Sequence, residues 1–245
     1  FTLLDALRAF PAVEFFVHVS TDEVYGSRTG RAARETDPFQ PSSPYAAAKA
    51  AGDHLAHAFH VTYGLPTVVL RPSNTFGPCQ FPEKLIPLMI SNMLEEKPLP
   101  VYGDGKNIRD WLYVDDHCSG IWAILEKGET GETYNIGGEN EWTNIDLLNI
   151  LCEIVAEETS RAKDHYKKLI TYVKDRAGHD RRYALNVDKI RALGWQSSHN
   201  FQQAIEKTVR WYVDNEWWWR KLKSGTYLEY YRQWYGQRLA EAGRS

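Results

Sequence analysis

Cysteine is scarce: Cys79, Cys118 and Cys152 are the three there are, an odd number without C-x-x-C spacing. This excludes a disulfide framework or a cysteine-based zinc site and points to free thiols in the cytoplasm. Long apolar runs are missing as well. No stretch reaches membrane-spanning length, and the first residues lack the basic and then apolar pattern of a signal peptide. Charge of one sign is also lacking, since a net charge of −3 over 245 residues exerts no whole-chain pull on nucleic acid or an anionic membrane. Internal repeats and low-complexity tracts are absent. So is any glycine-rich G-x-x-G-x-x-G turn: residues 1–10 read instead as a helix already under way, with Leu3, Leu4 and Leu7 as its buried stripe. The chain is expected to begin inside a domain, without the pyrophosphate-binding turn of a dinucleotide fold.

What is present is an ordinary globular composition, 43% hydrophobic and 25% charged, enough for one sizeable core or two smaller ones. An apolar strand at 15–19 runs into Ser20-Thr21-Asp22-Glu23-Val24-Tyr25-Gly26, which sets two carboxylates where the strand ends. In an open parallel sheet the ligand crevice lies at the carboxyl ends of the strands, so polar residues there are placed to meet a substrate. Consecutive strand side chains point to opposite faces, so Asp22 and Glu23 serve one substrate only if the chain has already left the sheet. Residues 27–43, polar and proline-bearing, read as a surface loop with the length of a lid. An alanine-rich helix at 45–63 follows, with Tyr45 and Lys49 one turn apart on one face and Gly52 admitting a close neighbour.

A second buried strand at 67–71 ends in Pro72-Ser73-Asn74-Thr75-Phe76-Gly77-Pro78, again polar at a carboxyl end. Further on, the patterns predict helices ending near 96, over 117–127, from a Thr143/Asp146 cap to 158, over 186–195 and over 201–215, with a strand at 133–136 and a solvated loop at 159–168. The tail is aromatic: Trp211, Trp217, Trp218, Trp219, Tyr227, Tyr230, Tyr231, Trp234 and Tyr235. Their helical spacing favours packing over base stacking on nucleic acid.

The ordered set S-T-D-E-V-Y-G, Y-A-A-A-K, F-P-E-K-L-I-P, R-D-W-L-Y-V-D-D and D-R-A-G-H resembles the extended short-chain dehydrogenase/reductase family, and the adjacent Asp-Glu pair resembles its nucleotide-sugar 4,6-dehydratases, over about residues 1–239. The resemblance implies an α/β fold, a Rossmann-like doubly wound parallel sheet whose N-terminal half is absent from this chain, with a smaller C-terminal substrate-binding domain. Residues 1–76 and 110–138 would belong to the NAD-binding domain, 77–109 and 139–245 to the sugar-nucleotide domain. It also implies NAD as cofactor, no metal, a homodimer joined through the opening helix and the Tyr45 helix, and no nucleic-acid or membrane partner. Ser20, Tyr45, Lys49 and Thr75 would hold the cofactor. Asn74, Lys84, Leu85, Pro100, Tyr102, Arg109, Asn135, Asp175, Arg176 and His179 would hold the substrate, Arg109 gripping the diphosphate. Ala177 departs from the family's usual proline in D-R-P-G-H.

The chemistry follows from the acids. A phenol near pKa 10 is a poor base, but an ammonium about 4 Å away at an effective dielectric near 20 lowers it by up to about 3 units, so Lys49 is expected to activate Tyr45. By resemblance, Tyr45 takes a proton from the sugar's C4 hydroxyl, held by Thr21, while hydride passes to NAD. Glu23 then removes the C5 proton and Asp22 protonates the departing O6. The resemblance points to dTDP-glucose, although the residues alone leave thymine and uracil unresolved. A UDP-sugar epimerase or decarboxylase would need no acid pair beside the threonine, and a chain lacking the pyrophosphate turn could also be a non-catalytic binding module.

Overall fold

The computed structural model describes residues 1–242. The chain runs α1 (Thr2–Leu7), β1 (Phe16–Val19), a 3-10 turn (Asp22–Tyr25), α2 (Pro44–Tyr63), β2 (Thr67–Pro72), β3 (Asn74–Phe76), α3 (Leu85–Leu94), β4 (Leu99–Tyr102), β5 (Ile108–Tyr113), α4 (Val114–Lys127), β6 (Thr133–Ile136), β7 (Glu141–Thr143), α5 (Asn144–Glu158), β8 (Ile170–Val173), α6 (Asp188–Ala192), α7 (Phe201–Asp214), α8 (Glu216–Leu222), α9 (Thr226–Tyr231), a π-helical turn (Arg232–Gly236) and α10 (Gln237–Ala242). It divides into two compact units: Phe1–Thr75 with Ile108–Glu141 and Asp180–Ser198, and Phe76–Asn107 with Trp142–His179 and the chain from His199 onward.

The first unit is built on a parallel sheet of order β1-β2-β6, with Phe16 opposite Thr67 and Val69 opposite Thr133. All six residues of β2 are buried. Val68, Val69 and Leu70 are the apolar run that a strand covered on both faces requires, and the buried Arg71 is paired with Asp53 at 2.8 Å. Val68, Leu70, Leu112, Ile124 and Ile136 join Val24 and Tyr25 in the core. Ser43 caps α2 by accepting the Ala46 N–H at 3.1 Å, Pro44 opens the helix, and Gly64 ends it in the left-handed region. A Cβ on Gly52 would lie 2.9 Å from Nε2 of His18, so the glycine serves the packing of α2 on β1.

Three expectations for this unit need correction. Only Leu4 of the opening helix is buried, while Leu3 is 61% exposed, because six helical residues turn a narrow stripe toward Phe59 and Leu65. The 27–43 segment is strapped down rather than free to act as a lid: the Ala33 N–H bonds to Ala184 O at 2.8 Å, and Nη1 of Arg182 donates to the carbonyls of Arg28 and Gly30. Finally, Asp180–Ser198 packs here and not with the rest of 139–245, since Val187, Ile190 and Trp195 enter this core. The last three residues of that expected segment lie outside the described residues.

In the second unit β4 and β8 pair in parallel, Leu99 opposite Ile170 and Tyr102 opposite Val173, while α3, α5 and α7 pack on one another. Thr143 caps α5 as expected, its hydroxyl accepting the Asp146 N–H at 3.1 Å and donating to the Asp146 carboxylate at 2.6 Å. The tail packs as helices. Trp219 is fully buried and its Nε1 donates to Tyr212 O at 2.9 Å, whereas Trp217 is 69% exposed. Among the described residues, no helix is long and apolar enough to cross a membrane, and no group of three His, Cys, Asp or Glu side chains is placed to hold a metal ion.

Candidate active site

In the first unit the strand β1 stops at Val19, and the chain winds at once into the 3-10 turn that carries both acids. Thr21 caps this turn, its hydroxyl accepting the Glu23 N–H at 3.3 Å and donating to Oδ1 of Asp22 at 3.2 Å. Gly26 leaves the turn at φ +67, and a Cβ there would fall 2.2 Å from the carbonyl oxygen of Gln40, so only glycine fits. Asp22 and Glu23 have thus left the alternating geometry of the strand, as shared use of one substrate requires. The Tyr45 phenol, at the first turn of α2, lies beside Thr21. Thr21, Asp22, Glu23 and Tyr45 are brought together.

Burial, followed by the neighbouring Glu23, pushes the Asp22 carboxyl up to about 8, against the opposing charge of Arg109. Asp22 therefore carries its proton at neutral pH. Lys49 does not produce the expected effect on Tyr45. Its ammonium donates to Val19 O at 2.6 Å, and the phenol is pushed up, by burial first and then by the charges of Glu23 and Asp22. Burial of the ring comes first, and a lysine committed to a carbonyl does not offset it.

The other first-unit candidates are placed less uniformly. Ser20 is buried, its N–H bonded to Leu70 O and its hydroxyl without a hydrogen-bond partner among the described residues. Thr75 meets Nδ1 of His117 at 2.9 Å, and burial lowers the affinity of that imidazole for a proton. Asn74 is half-buried at the start of β3. Arg109 lies deeper than a diphosphate clamp was expected to: it is buried, Nη1 donates to the carbonyls of Ile108 and Asp180, and the guanidinium stacks 4.2 Å from the Tyr183 ring. Asp110 beside it holds the backbone N–H groups of Gly138 and Asn140 and makes no surface ion pair with it. Asn135 corrects the sequence reading outright. It is fully buried, its Oδ1 accepts from the Tyr25 hydroxyl at 2.8 Å and its Nδ2 donates to Ala33 O and Asn186 O, so its amide is consumed inside the core.

In the second unit, Lys84 is exposed and paired with Glu83, Leu85 opens α3 half-buried, and Pro100 is buried in β4. Tyr102 lies edge-on to His179, ring centroids 6.1 Å apart. Oδ1 of Asp175 holds both the Arg176 N–H at 2.8 Å and Nδ1 of His179 at 2.7 Å. The carboxylate thereby organises the turn in which Ala177 replaces the usual proline.

Residues 1–208 match the family described as GDP-mannose 4,6 dehydratase. The chain belongs to that family. Among its relatives, a probable dTDP-glucose 4,6-dehydratase of Sinorhizobium fredii is 52% identical over 93% of this chain and 67% of its own length. A dTDP-glucose 4,6-dehydratase of Bacillus anthracis, solved with NAD, superposes with a TM-score of 0.81 at 48% identity, over 91% of this chain and 68% of that one. That of Streptomyces venezuelae, solved with NAD and a second ligand, gives 0.84 at 45% identity, over 91% and 66%. The chain spans about two thirds of the length of the relatives it matches. Its fold is the Rossmann type of these neighbours.

Within this dehydratase-family chain, sequence reasoning missed three residues. Tyr183 stacks on Arg109 and donates to Oδ2 of Asp180 at 2.8 Å, and Ser42 bonds to the same carboxylate oxygen. Glu23 is near enough to raise the Tyr183 phenol further, after burial. Asp180 and Tyr183, the first two of the three, follow closely on D-R-A-G-H, which was the available signal. The third is Asn144 at the start of α5, whose buried Oδ1 has no hydrogen-bond partner in the structure.

Proposed function

We propose that the protein carrying this chain is an NAD-dependent dTDP-glucose 4,6-dehydratase acting in the cytoplasm as a homodimer. The observation that carries the reading is the single 3-10 turn placing a proton-bearing Asp22 and Glu23 beside Tyr45. Dehydration of a keto sugar needs an acid and a base together. The relatives named for that activity support the substrate.

The groups along the carboxyl ends of β1 and β2 suit the cofactor: a phenol 56% exposed, a lysine on the same helix face, and hydroxyls at Ser20 and Thr75. When bound, NAD accepts hydride from C4 of the sugar and returns it to C6. Once the positive charge of the oxidised cofactor lies beside it and offsets its upward shift, Tyr45 would take the C4 hydroxyl proton, with Thr21 aligning that hydroxyl. The resulting ketone acidifies C5; Glu23 takes the C5 proton as Asp22 gives its own to O6, which leaves as water. A proton from Glu23 restores C5 after hydride return. Asn74 and Arg109 in the first unit, and Lys84, Leu85, Pro100, Tyr102, Asp175, Arg176 and His179 in the second, are the candidates for the sugar nucleotide, with Asn144, whose Oδ1 has no partner among the described residues, in place of Asn135. For the dimer, the exposed Leu3, Val61 and Tyr63 on α1 and α2 are the supporting surface.

The test is turnover of dTDP-glucose in D2O by the complete protein and its Glu23→Gln variant. The variant should still oxidise C4, seen as reduced-cofactor absorbance, but exchange no C5 hydrogen. Unchanged turnover would remove Glu23 from the mechanism.

A further inference from the structure

We propose that Arg71 is a positioning residue for the elimination half of the reaction, holding the acid turn through Tyr25 and the Tyr45 helix through Asp53. The inference deepens the dehydratase reading above and rests on it. Arg71 follows the apolar run Val68–Leu70 near the end of β2 and is only 5% exposed. Its guanidinium reaches three separate segments. Nε donates to Oδ2 of Asp53 on α2 at 2.8 Å, and Nη1 donates to the Tyr25 hydroxyl at 2.6 Å and to Glu35 O at 3.1 Å. The Phe39 and Tyr25 ring centres lie 4.6 Å and 5.0 Å from it, which fixes the plane of the fork.

Tyr25 is the last residue of the 3-10 turn that carries Asp22 and Glu23. Its ring is 1% exposed, and its hydroxyl in turn donates to Oδ1 of Asn135 at 2.8 Å. In so short a turn, a fixed side chain at one end and the Thr21 cap at the other leave the two carboxyls between them little freedom. Asp53 stands one helical turn beyond Lys49 and two beyond Tyr45, on the same side of α2. That side is tied twice to the end of β1: the Lys49 ammonium donates to Val19 O at 2.6 Å, and Nε2 of His18 lies 3.3 Å from Oδ1 of Asp53. One guanidinium thus sets the spacing between the carriers of Glu23 and of Tyr45. Stability alone does not ask for it, because a well-packed apolar side chain fills such a place without a desolvation penalty. A lysine would pair with Asp53, but as a point charge on a flexible stem it would not hold the Tyr25 hydroxyl as well.

The experiment compares Tyr25→Phe, Arg71→Lys and Ile124→Val with wild type, each as the complete protein. It follows dTDP-glucose turnover, reduced-cofactor absorbance as the sign of C4 oxidation, and deuterium entering C5 from D2O. Tyr25→Phe keeps the ring and loses only the hydroxyl. Its kcat and C5 exchange should fall together by about tenfold, the size of one hydrogen bond to a charged group, with KM within about twofold and reduced cofactor accumulating. Arg71→Lys, which keeps the charge beside Asp53, should show the same signature. Ile124→Val, a methyl lost from the same core, should lower the melting temperature and leave kcat and C5 exchange at wild-type values. Wild-type C5 exchange in either Tyr25→Phe or Arg71→Lys overturns the inference. So does an equal loss of exchange in Ile124→Val. If Tyr25→Phe does not fold, Arg71→Lys decides; if neither folds, the network serves stability and the inference fails. All these outcomes leave the dehydratase assignment intact. A wild type that exchanges no C5 hydrogen overturns the assignment, and this inference with it.

Discussion

At the residue scale the site turns on one carboxyl kept neutral. Folded Asp22 holds its proton up to about pH 8, whereas the unfolded chain releases it near 3.8. Its contribution to stability is complete below the unfolded value and is lost as pH rises toward 8, because ionising it in place means burying a charge beside Glu23. Asp22→Asn should therefore raise the melting temperature more at pH 8 than at pH 4, read by calorimetry at the two pH values. The same variant should lower kcat by about 10²- to 10⁴-fold, the contribution of a general acid, and wild-type turnover should fall above about pH 8. Equal melting shifts at both pH values would mean that Asp22 is ionised in the fold. The thiols offer a separate check. Cys79 and Cys118 are exposed, whereas Cys152 is buried and burial pushes its thiol up to about 12. Two thiols should react promptly with a disulfide reagent at neutral pH and the third only on unfolding.

At the element scale, α2 links sequence to site most directly. It carries Tyr45 and Lys49 on one face and packs Gly52 against His18, whose Nε2 lies 3.3 Å from Oδ1 of Asp53. Gly52→Ala should force the imidazole from that pair and cost about 1–3 kcal/mol, measured by denaturant unfolding, despite the better helix propensity of alanine. A stabilised variant would show that β1 and α2 separate easily. The cap of α5 is a simpler case: Thr143→Ala should cost about 1 kcal/mol by the same measurement, because it frees the Asp146 N–H.

At the scale of the whole molecule, the chain forms two compact units, the first holding the acids and Tyr45, the second Tyr102 and the Asp175-Arg176-His179 turn. The second unit is anchored on one large side chain. Trp219→Ala should cost about 3–5 kcal/mol and lower the unfolding midpoint, since a fully buried indole leaves a cavity and strands the Tyr212 carbonyl. If the midpoint does not move, the tail is not part of that cooperative unit.

Local pattern determined the elements it could see. The continuous run of β2, the Ser43-Pro44 start and Gly64 stop of α2, the Thr143 cap and the Ser20–Gly26 segment at a strand's end are encoded within a few residues of themselves, because capping, turn geometry and burial of one strand are short-range facts. Only the tertiary structure decided what depends on distant neighbours. Asn135 at a strand's carboxyl end looks like a ligand until Tyr25, Ala33 and Asn186 close around its amide. Asp180–Ser198 follows the second unit in sequence yet joins the first, because its apolar side chains fit that core. Tyr45 and Lys49 share a helix face in any reading, but the direction of the phenol's shift depends on how far the fold buries it and then on which charges lie closest. Coulomb energy falls with distance in space, whatever the separation along the chain.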